Sequence, residues 1–298
     1  MKRLISLSLA IILSTSLFAQ LKPYIQAIQT DASVTSMTVR VEEAAKENGL
    51  NVIGSYSPAT SKERQVVVVS SDELVGAVKK VGGLTGFAAV LRIGITREGN
   101  ITNVSYTNPK YWGNAYFRDD FEKVLVEYQT VQLKLQKTMK AIGEYKPVPF
   151  GSEKGVDVKS LREYQYMFGM PEFDDTVELK AYASYSEAKK SIDLALKIPP
   201  QGLKQVYRIE IPGEELVLYG IAIGLADGEK HFMPIIDIDS PKHTAFLPYE
   251  MLVIGDEVHM LHGRYRIALS FPDLTMGTFS KIMSTPGDIE DALEQLTK

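Results

Sequence analysis

The 298-residue sequence contains no cysteine. Without thiols the chain forms no disulfide, and it offers no thiolate ligand for zinc and no cysteine nucleophile. The formal net charge is only −4 and no block of lysine and arginine occurs, so the electrostatic signature of a nucleic-acid-binding protein is missing. A hydrophobic content of 45% is nevertheless enough for a proper core.

Recognised catalytic motifs are also missing from the sequence. No G-x-S-x-G elbow marks a serine nucleophile. The glycine-rich run GGLTG at 82–86 follows a predicted helix, whereas a phosphate-binding loop precedes one so that the helix amides point at the anion. These absences leave no catalytic set and favour a non-enzymatic protein.

The N-terminus has the composition of a secretory signal peptide. Lys2 and Arg3 precede a short apolar run from Leu4 to Leu13, and small residues then lead to Ala19. The apolar run is shorter than the roughly 20 residues that a membrane-spanning helix needs. We therefore expect residues 1–19 to be removed, which leaves a periplasmic or secreted protein without a transmembrane segment.

Residues 31–112 are predicted to form a first α+β lobe. Val34, Met37 and Val41 recur at helical spacing, which predicts a helix that ends near Gly49. The valine-rich stretch RQVVVVSS predicts a strand that is buried on both faces. Further along, the tetrapeptide REGN separates two strand patterns and predicts a hairpin.

A long helix and a linker are predicted between this lobe and a second one. Apolar residues recur at helical intervals from Phe117 to Ile142, and KPVPFGSEKGVD follows as a linker, so that residues 113–170 join the lobes. Residues 175–298 repeat the pattern of strands and helices. The predicted fold is α+β, with two similar lobes that are each an antiparallel sheet backed by helices, joined by the long amphipathic helix.

Three stretches of the first lobe carry a resemblance to a known family. VEEAAKENGLNVIGSYSPA, RQVVVVSSDELVGAVKK and FAAVLRIGITREGNITNVSYTNP are similar to the pattern of the uncharacterised family called domain of unknown function 302. In that pattern a helix ends in E-x-G-(F/L)-x-V, and a later hairpin leads to a tyrosine and an N-P or D-P pair. HTAFLPYEMLVIGDEVHMLHGRYRIALSFPDL resembles its later half, including the Leu-Pro of the family strand, which the first lobe lacks.

The resemblance bears on fold and assembly alone. It implies a small α+β fold with an antiparallel sheet, present here as two related copies in tandem, and it implies a homodimer as one expectation. It implies no activity and no site residues.

An aromatic segment at the end of the first lobe gives the clearest ligand-binding candidates. Its rings, amides and guanidinium group could line a pocket or a protein interface. The candidates are Tyr106, Asn108, Tyr111, Trp112, Asn114 and Arg118. The alternative is that this segment is a packing plug between the lobe and the long helix.

Two arginines give a second set of ligand-binding candidates. Arg264 and Arg266 alternate with Tyr265 and Ile267 in a predicted strand, which would place both guanidinium groups on one face, where they could clamp a carboxylate or phosphate. The alternative is that the pair is solvated or paired with Glu250 or Glu257.

Four residues near the C-terminal quarter give a metal hypothesis. His231 and His243 flank a predicted strand in which Asp237 and Asp239 share one face, and this ligand set suits zinc or another divalent ion. The two aspartates could instead form a general acid–base pair. The plainer interpretation is a polar rim of the sheet, since no recognised ligand spacing is present; His259 and His262 are expected at or beside a turn.

Three functions therefore remain open from the sequence. The first is an exported binding or interaction module without a cofactor, which takes an unknown small molecule or envelope protein in a cleft between the lobes. The second is a metal-binding protein or metal-dependent hydrolase that uses the C-terminal His/Asp cluster. The third is a structural subunit of a cell-envelope assembly, with the long helix as its contact surface.

Overall fold

A computed structural model describes residues 20–298. The predicted signal peptide, residues 1–19, lies outside the described residues. Within residues 20–298, no helix combines the length and the apolar composition needed to cross a membrane. The described chain forms two lobes, each built on an antiparallel sheet with helices packed against it, which confirms the predicted α+β class.

The first lobe is built on a six-stranded antiparallel sheet. Its strand order is β2-β3-β4-β5-β1-β6. All four valines from Val66 to Val69 are fully buried, so both faces of β3 are covered, as predicted. The strands are β1 (Tyr24–Thr30), β2 (Asn51–Tyr56), β3 (Arg64–Ser70), β4 (Leu91–Glu98), β5 (Ile101–Thr107) and β6 (Val148–Phe150).

Five helices belong to this first half of the chain. The side chains of Ser33 and Ser71 cap the first two, and Asn108 caps the third. The first contacts the sheet, and the fourth packs on the first and second. The helices are α1 (Val34–Glu47), α2 (Asp72–Val81), α3 (Pro109–Phe117), α4 (Leu125–Ile142) and α5 (Val158–Arg162).

The second lobe is built on a five-stranded sheet with the order β7-β11-β10-β9-β8. Ser184 caps its first helix, and Pro212 and Gly213 lie in the connection of its first hairpin. The strands are β7 (Val177–Ala181), β8 (Leu203–Glu210), β9 (Leu216–Ile223), β10 (Tyr249–Ile254) and β11 (Glu257–Met260). The helices are α6 (Tyr185–Ala195), α7 (Glu229–Ile236), α8 (Gly263–Ser270), α9 (Met276–Phe279) and α10 (Thr285–Glu294).

The two lobes share one topology. Apart from β6, each sheet has five strands in the same order. The chain forms a single strand and then two hairpins, and the single strand pairs with the last strand of the second hairpin. A helix follows the first strand, another follows the first hairpin, and a third follows the second hairpin in both lobes. By this order α2 corresponds to α7, α3 to α8, and β4 to β10.

The lobes pack on each other in a reciprocal way. In each lobe a 3₁₀ segment precedes the second hairpin, and it packs on the sheet of the other lobe. An added Cβ at Gly86 would lie 2.6 Å from the side chain of Leu252 in β10. An added Cβ at Gly94 in β4 would lie 3.0 Å from the main-chain nitrogen of Ala245. Both glycines are thus required for this close approach.

The central helix differs from its prediction. The backbone turns at Arg118, where φ is 52°, and a 3₁₀ segment extends to Val124 before α4 begins. The apolar side of α4, from Tyr128 to Ile142, is buried against α1 and α2. The helix therefore covers the first lobe, and its apolar side is not a free contact surface.

Two predicted strands are helices, and two strands were not predicted. The stretch that contains Asp237 belongs to α7 and the loop after it, and the stretch that contains Arg264 and Arg266 is α8. The short strand β6 lies in the predicted linker, and β1 precedes the predicted first lobe.

Candidate functional site

Two buried guanidinium groups share one carboxylate at the centre of the interface between the lobes. Glu250 in β10 accepts hydrogen bonds from Arg92 in β4, from Arg266 in α8 and from the hydroxyl of Tyr207. Burial alone would lower the pKa of Arg92, but the Glu250 carboxylate raises it well above its usual value. All four side chains are buried, so the network joins the lobes without contact with solvent.

This network changes the interpretation of the two arginines. Because α8 is a helix, residues two apart point in different directions, and Arg264 and Arg266 do not share a face. Arg266 is 1% exposed and also donates to two main-chain carbonyl oxygens of its own lobe, so it holds Glu250 in place for the contact with Arg92. Arg264 is only partly buried and lines a separate apolar groove together with Tyr166 and Phe279.

The aromatic segment packs as a plug. Tyr106 donates to or accepts from Tyr145, Tyr111 donates to the carbonyl of Leu269, and Trp112 donates to that of Pro23. The amides of Asn108 and Asn114 bind backbone carbonyl groups, and Arg118 pairs with Asp174. The first five of these six side chains are buried and bonded to the protein itself.

The four residues of the metal hypothesis have different surroundings and different partners. Arg64 pairs with one oxygen of Asp237, and the main-chain N–H of His243 donates to the other at 2.8 Å. His231 is exposed on α7, and Asp239 is exposed in the loop beyond it. Within residues 20–298, no group of three or more His, Asp or Glu side chains is arranged to hold a metal ion. His259 lies in β11, and His262 caps α8.

Both ends of α7 are bonded to the first lobe. At the N-terminal end the carboxylate of Glu229 accepts hydrogen bonds from the hydroxyl of Tyr56 at 3.0 Å and from the N–H of Ala59 at 2.8 Å. At the C-terminal end Asp237 pairs with Arg64. The helix therefore crosses from one edge of the interface to the other, and a cavity lies at each of its ends.

The cavity at the N-terminal end has a volume of about 420 Å³ and contains a strained loop. Ala59 and Thr60 have φ values of 52° and 55°, which are unfavourable for residues with a Cβ and most of all for a β-branched one. Burial raises the pKa of Glu229 to about 7, although hydrogen bonds from Ala59, Ile223 and Tyr56 lower it. Lys204 and Lys230 also line this cavity.

The cavity at the C-terminal end of α7 lies between the lobes and has a volume of about 410 Å³. The first lobe contributes Lys22 and the loop from Pro149 to Glu153. The second lobe contributes residues between 236 and 243 and between 271 and 278. We call this space the interlobe cavity.

One wall of the interlobe cavity is aromatic. The ring of His243 stacks on that of Phe271 with centroids 4.5 Å apart, and it meets Phe150 edge-on at 5.6 Å. The loops around the cavity are tied together, because Asp273 accepts from the hydroxyl of Ser152 at 3.0 Å and from the N–H of Glu153. These hydrogen bonds hold together the loops of the two lobes that border the cavity.

His243 is a buried, neutral imidazole at this wall. Burial lowers its pKa, and this effect outweighs the negative charges of Asp237, Asp239 and Asp273, which act to raise it. Its Nδ1 lies 3.1 Å from the carbonyl oxygen of Ser270, which assigns the proton of the neutral ring to Nδ1. Nε2 is then an acceptor, and it has no hydrogen-bond partner within residues 20–298.

Two residues that line this cavity are predicted from the sequence, but as metal ligands. His243 and Asp239 were proposed as metal ligands, and the structure places both in the lining. Lys22, Phe150 and Phe271 were not singled out. The pattern gave no signal for them, because they come from distant parts of the chain and meet only through packing of the lobes.

The comparisons with known proteins include a similarity to a solved structure. The chain is similar to a solved structure described as the crystal structure of uncharacterized conserved protein DUF302 from Bacillus stearothermophilus. The two are 13% identical, the TM-score is 0.35, and the match covers 40% of this chain and 98% of that one. DUF302 is the family that the sequence motifs resemble. No family model matches the chain, and no curated protein does.

Proposed function

We propose that this protein is an exported, non-enzymatic binding module that holds a small organic molecule in the interlobe cavity. The observation that carries the proposal is the fixed wall of His243 and Phe271, with a ring nitrogen that lacks a partner among the described residues. This nitrogen is not among the polar side-chain atoms shut off from solvent, so a ligand in the cavity can reach it and donate a hydrogen bond to it.

The size and composition of the cavity support a small-molecule ligand. Ligand pockets commonly have volumes of about 300–1,000 Å³ and combine apolar walls with a few polar groups. The interlobe cavity falls within this range and combines aromatic rings with Ser152, Asp239 and Lys22. Its position between two lobes is also typical of binding sites.

Filling the cavity tests the proposal. Thr278 is partly buried in α9 and lines the cavity, so Thr278→Trp should fill much of the space at little cost to folding. Ser280→Trp is the matched control, since Ser280 is exposed two residues further along and does not line the cavity. NMR signals of the histidine rings report binding directly, because the chain has only four histidines.

A library of small organic molecules is screened for shifts of the His243 ring signals. We expect ligands that shift them in the unaltered protein and in Ser280→Trp and that fail to do so in Thr278→Trp. If no compound shifts the His243 signals, or if Thr278→Trp binds the same compounds equally well, the interlobe cavity is not the binding site.

A further inference from the structure

We infer that the ligand of the interlobe cavity carries an ammonium group. The inference rests on the proposed function and narrows it to one chemical class, namely small organic amines in their protonated form. Three features of the cavity point the same way: the balance of its charges, the acceptor nitrogen of His243, and the aromatic rings in its lining.

The charges that line the cavity are mostly negative. Glu153, Asp239 and Asp273 contribute carboxylates, against the single ammonium group of Lys22. Lys242 directly precedes His243, but its ammonium group donates to the carbonyl oxygens of Asp237 and Ile238 at 2.9 and 2.7 Å. A cationic ligand is therefore attracted to this cavity, whereas an anionic one meets net repulsion.

The carboxylates differ in how free they are to bind a ligand. Both oxygens of Asp273 already accept hydrogen bonds, from Ser152 and from the main chain of Glu153, so this residue shapes the wall. Asp239 is exposed and forms no hydrogen bond or ion pair with another described residue. Asp239 is accordingly the carboxylate best placed to pair with a bound ammonium group.

His243 adds an acceptor that selects for donors. The ring is 8% exposed, neutral, and oriented by the Ser270 carbonyl, which leaves Nε2 to accept a hydrogen bond from the ligand. An ammonium group donates, whereas a carboxylate has no proton to give. Phe150 and Phe271 also line the cavity, and aromatic rings attract a cation because their π-systems carry negative charge on the ring faces.

A series of three probes separates ligand charge from ligand shape. Benzylamine, benzyl alcohol and benzoate have nearly the same size and carry a positive, a zero and a negative charge at neutral pH. Binding to the purified protein is measured at low ionic strength through the ring signals of His243. We expect benzylamine to bind about tenfold more tightly than benzyl alcohol, a ratio that corresponds to about 1.4 kcal/mol, and benzoate to bind most weakly.

Charge-neutral variants test the role of Asp239. Asp239→Asn should weaken benzylamine about fivefold and leave benzyl alcohol unchanged, since loss of a partly exposed ion pair costs up to about 1 kcal/mol. Asp119→Asn is the matched control, because it removes the same charge. Asp119 is also exposed, and it lies outside the cavity lining. A general effect of net charge would change both variants alike.

The outcomes distinguish this inference from the proposed function. Tighter binding of benzoate or benzyl alcohol at His243, or equal effects of the two Asn variants, overturns the ammonium assignment while the cavity remains a binding site. Binding of none of the three probes also overturns it, and the wider library then decides on the cavity itself. Selective loss of benzylamine in Asp239→Asn supports it.

Discussion

Helices α2 and α7 occupy the same place in the two lobes but are secured in different ways. In α2 the side chain of Ser71 caps the N-terminus, and Glu73 pairs with Lys134 of α4 within the same lobe. In α7 no side chain of Gly228 is available as a cap, and Pro234 lies inside the helix. Its two end groups, Glu229 and Asp237, instead bind the first lobe.

This difference shows how one topology serves two purposes. The ion pairs of α2 are partly exposed, so they stabilise the local packing of a helix that is well formed by itself. The end groups of α7 are buried, and each bridges the lobes. A cavity lies at each end of α7. We conclude that α7 positions the lobes, whereas α2 packs on α4 within its own lobe.

The largest expected effect comes from the carboxylate at the centre of the interface. Glu250→Gln leaves the guanidinium groups of Arg92 and Arg266 buried without a counter-charge, and we expect a loss of about 4 kcal/mol in the free energy of unfolding. Urea denaturation measures this loss. Glu144→Gln, which removes a carboxylate from an exposed pair with Lys146, is the control and should leave the unfolding curve unchanged. Comparable curves for the two variants would show that the lobes do not depend on the buried network.

A smaller effect distinguishes the two helices directly. Asp237→Asn removes the buried partner of Arg64 at the end of α7, and we expect a loss of about 3 kcal/mol. Glu73→Gln removes the partly exposed partner of Lys134 in α2, and we expect a loss below about 1 kcal/mol. Both are read from denaturation at neutral pH. Equal losses would remove the contrast between a helix that bridges the lobes and one that packs within a single lobe.

The smallest effect is a pH dependence at the other end of α7. Burial raises the pKa of Glu229 to about 7 from 4.5, so the folded state favours its protonated form. That contribution to stability is complete below pH 4.5 and is lost as the pH rises through 7. Glu229→Gln cannot ionise, so relative to the variant the protein should lose about 2 to 3 kcal/mol between pH 5 and 8.

The control for this experiment has the opposite sign. The pKa of His243 is lowered, so its contribution is present above its ordinary value and falls as the solution is acidified below about pH 6.5. This loss at low pH should appear equally in the protein and in Glu229→Gln. A difference between the two that stays constant from pH 5 to 8 would contradict the role assigned to burial at Glu229.

Much of the sheet framework could be predicted because its signals are local. The valines of β3 indicated a strand covered on both faces, and the glycine of the REGN turn, Gly99, has a φ of 61° that suits a hairpin. The predictions failed where packing overrides pattern. Arg264 to Ile267 alternates like a strand, yet His262 caps a helix there. Isoleucines before Asp237 suggested a strand, yet they form the last turn of α7.

The interlobe cavity could not be predicted, because its lining is assembled by the association of the lobes. Lys22 precedes β1 and Phe150 ends β6 in the first lobe, whereas Phe271 directly follows α8 in the second lobe. No spacing in the sequence relates them. Histidine is rare in the chain, so the sequence singles out His243, but its interpretation as a metal ligand stays a prediction.

The pair formed by Arg92 and Glu250 has a consequence for how such an assembly can be made. Each is the second residue of the corresponding strand in its lobe, and they meet across the interface. If two identical subunits met in this way, a twofold axis would set arginine against arginine or glutamate against glutamate. Only halves that differ can place opposite charges there, and joining them in one polypeptide ensures that each meets its complement at any dilution.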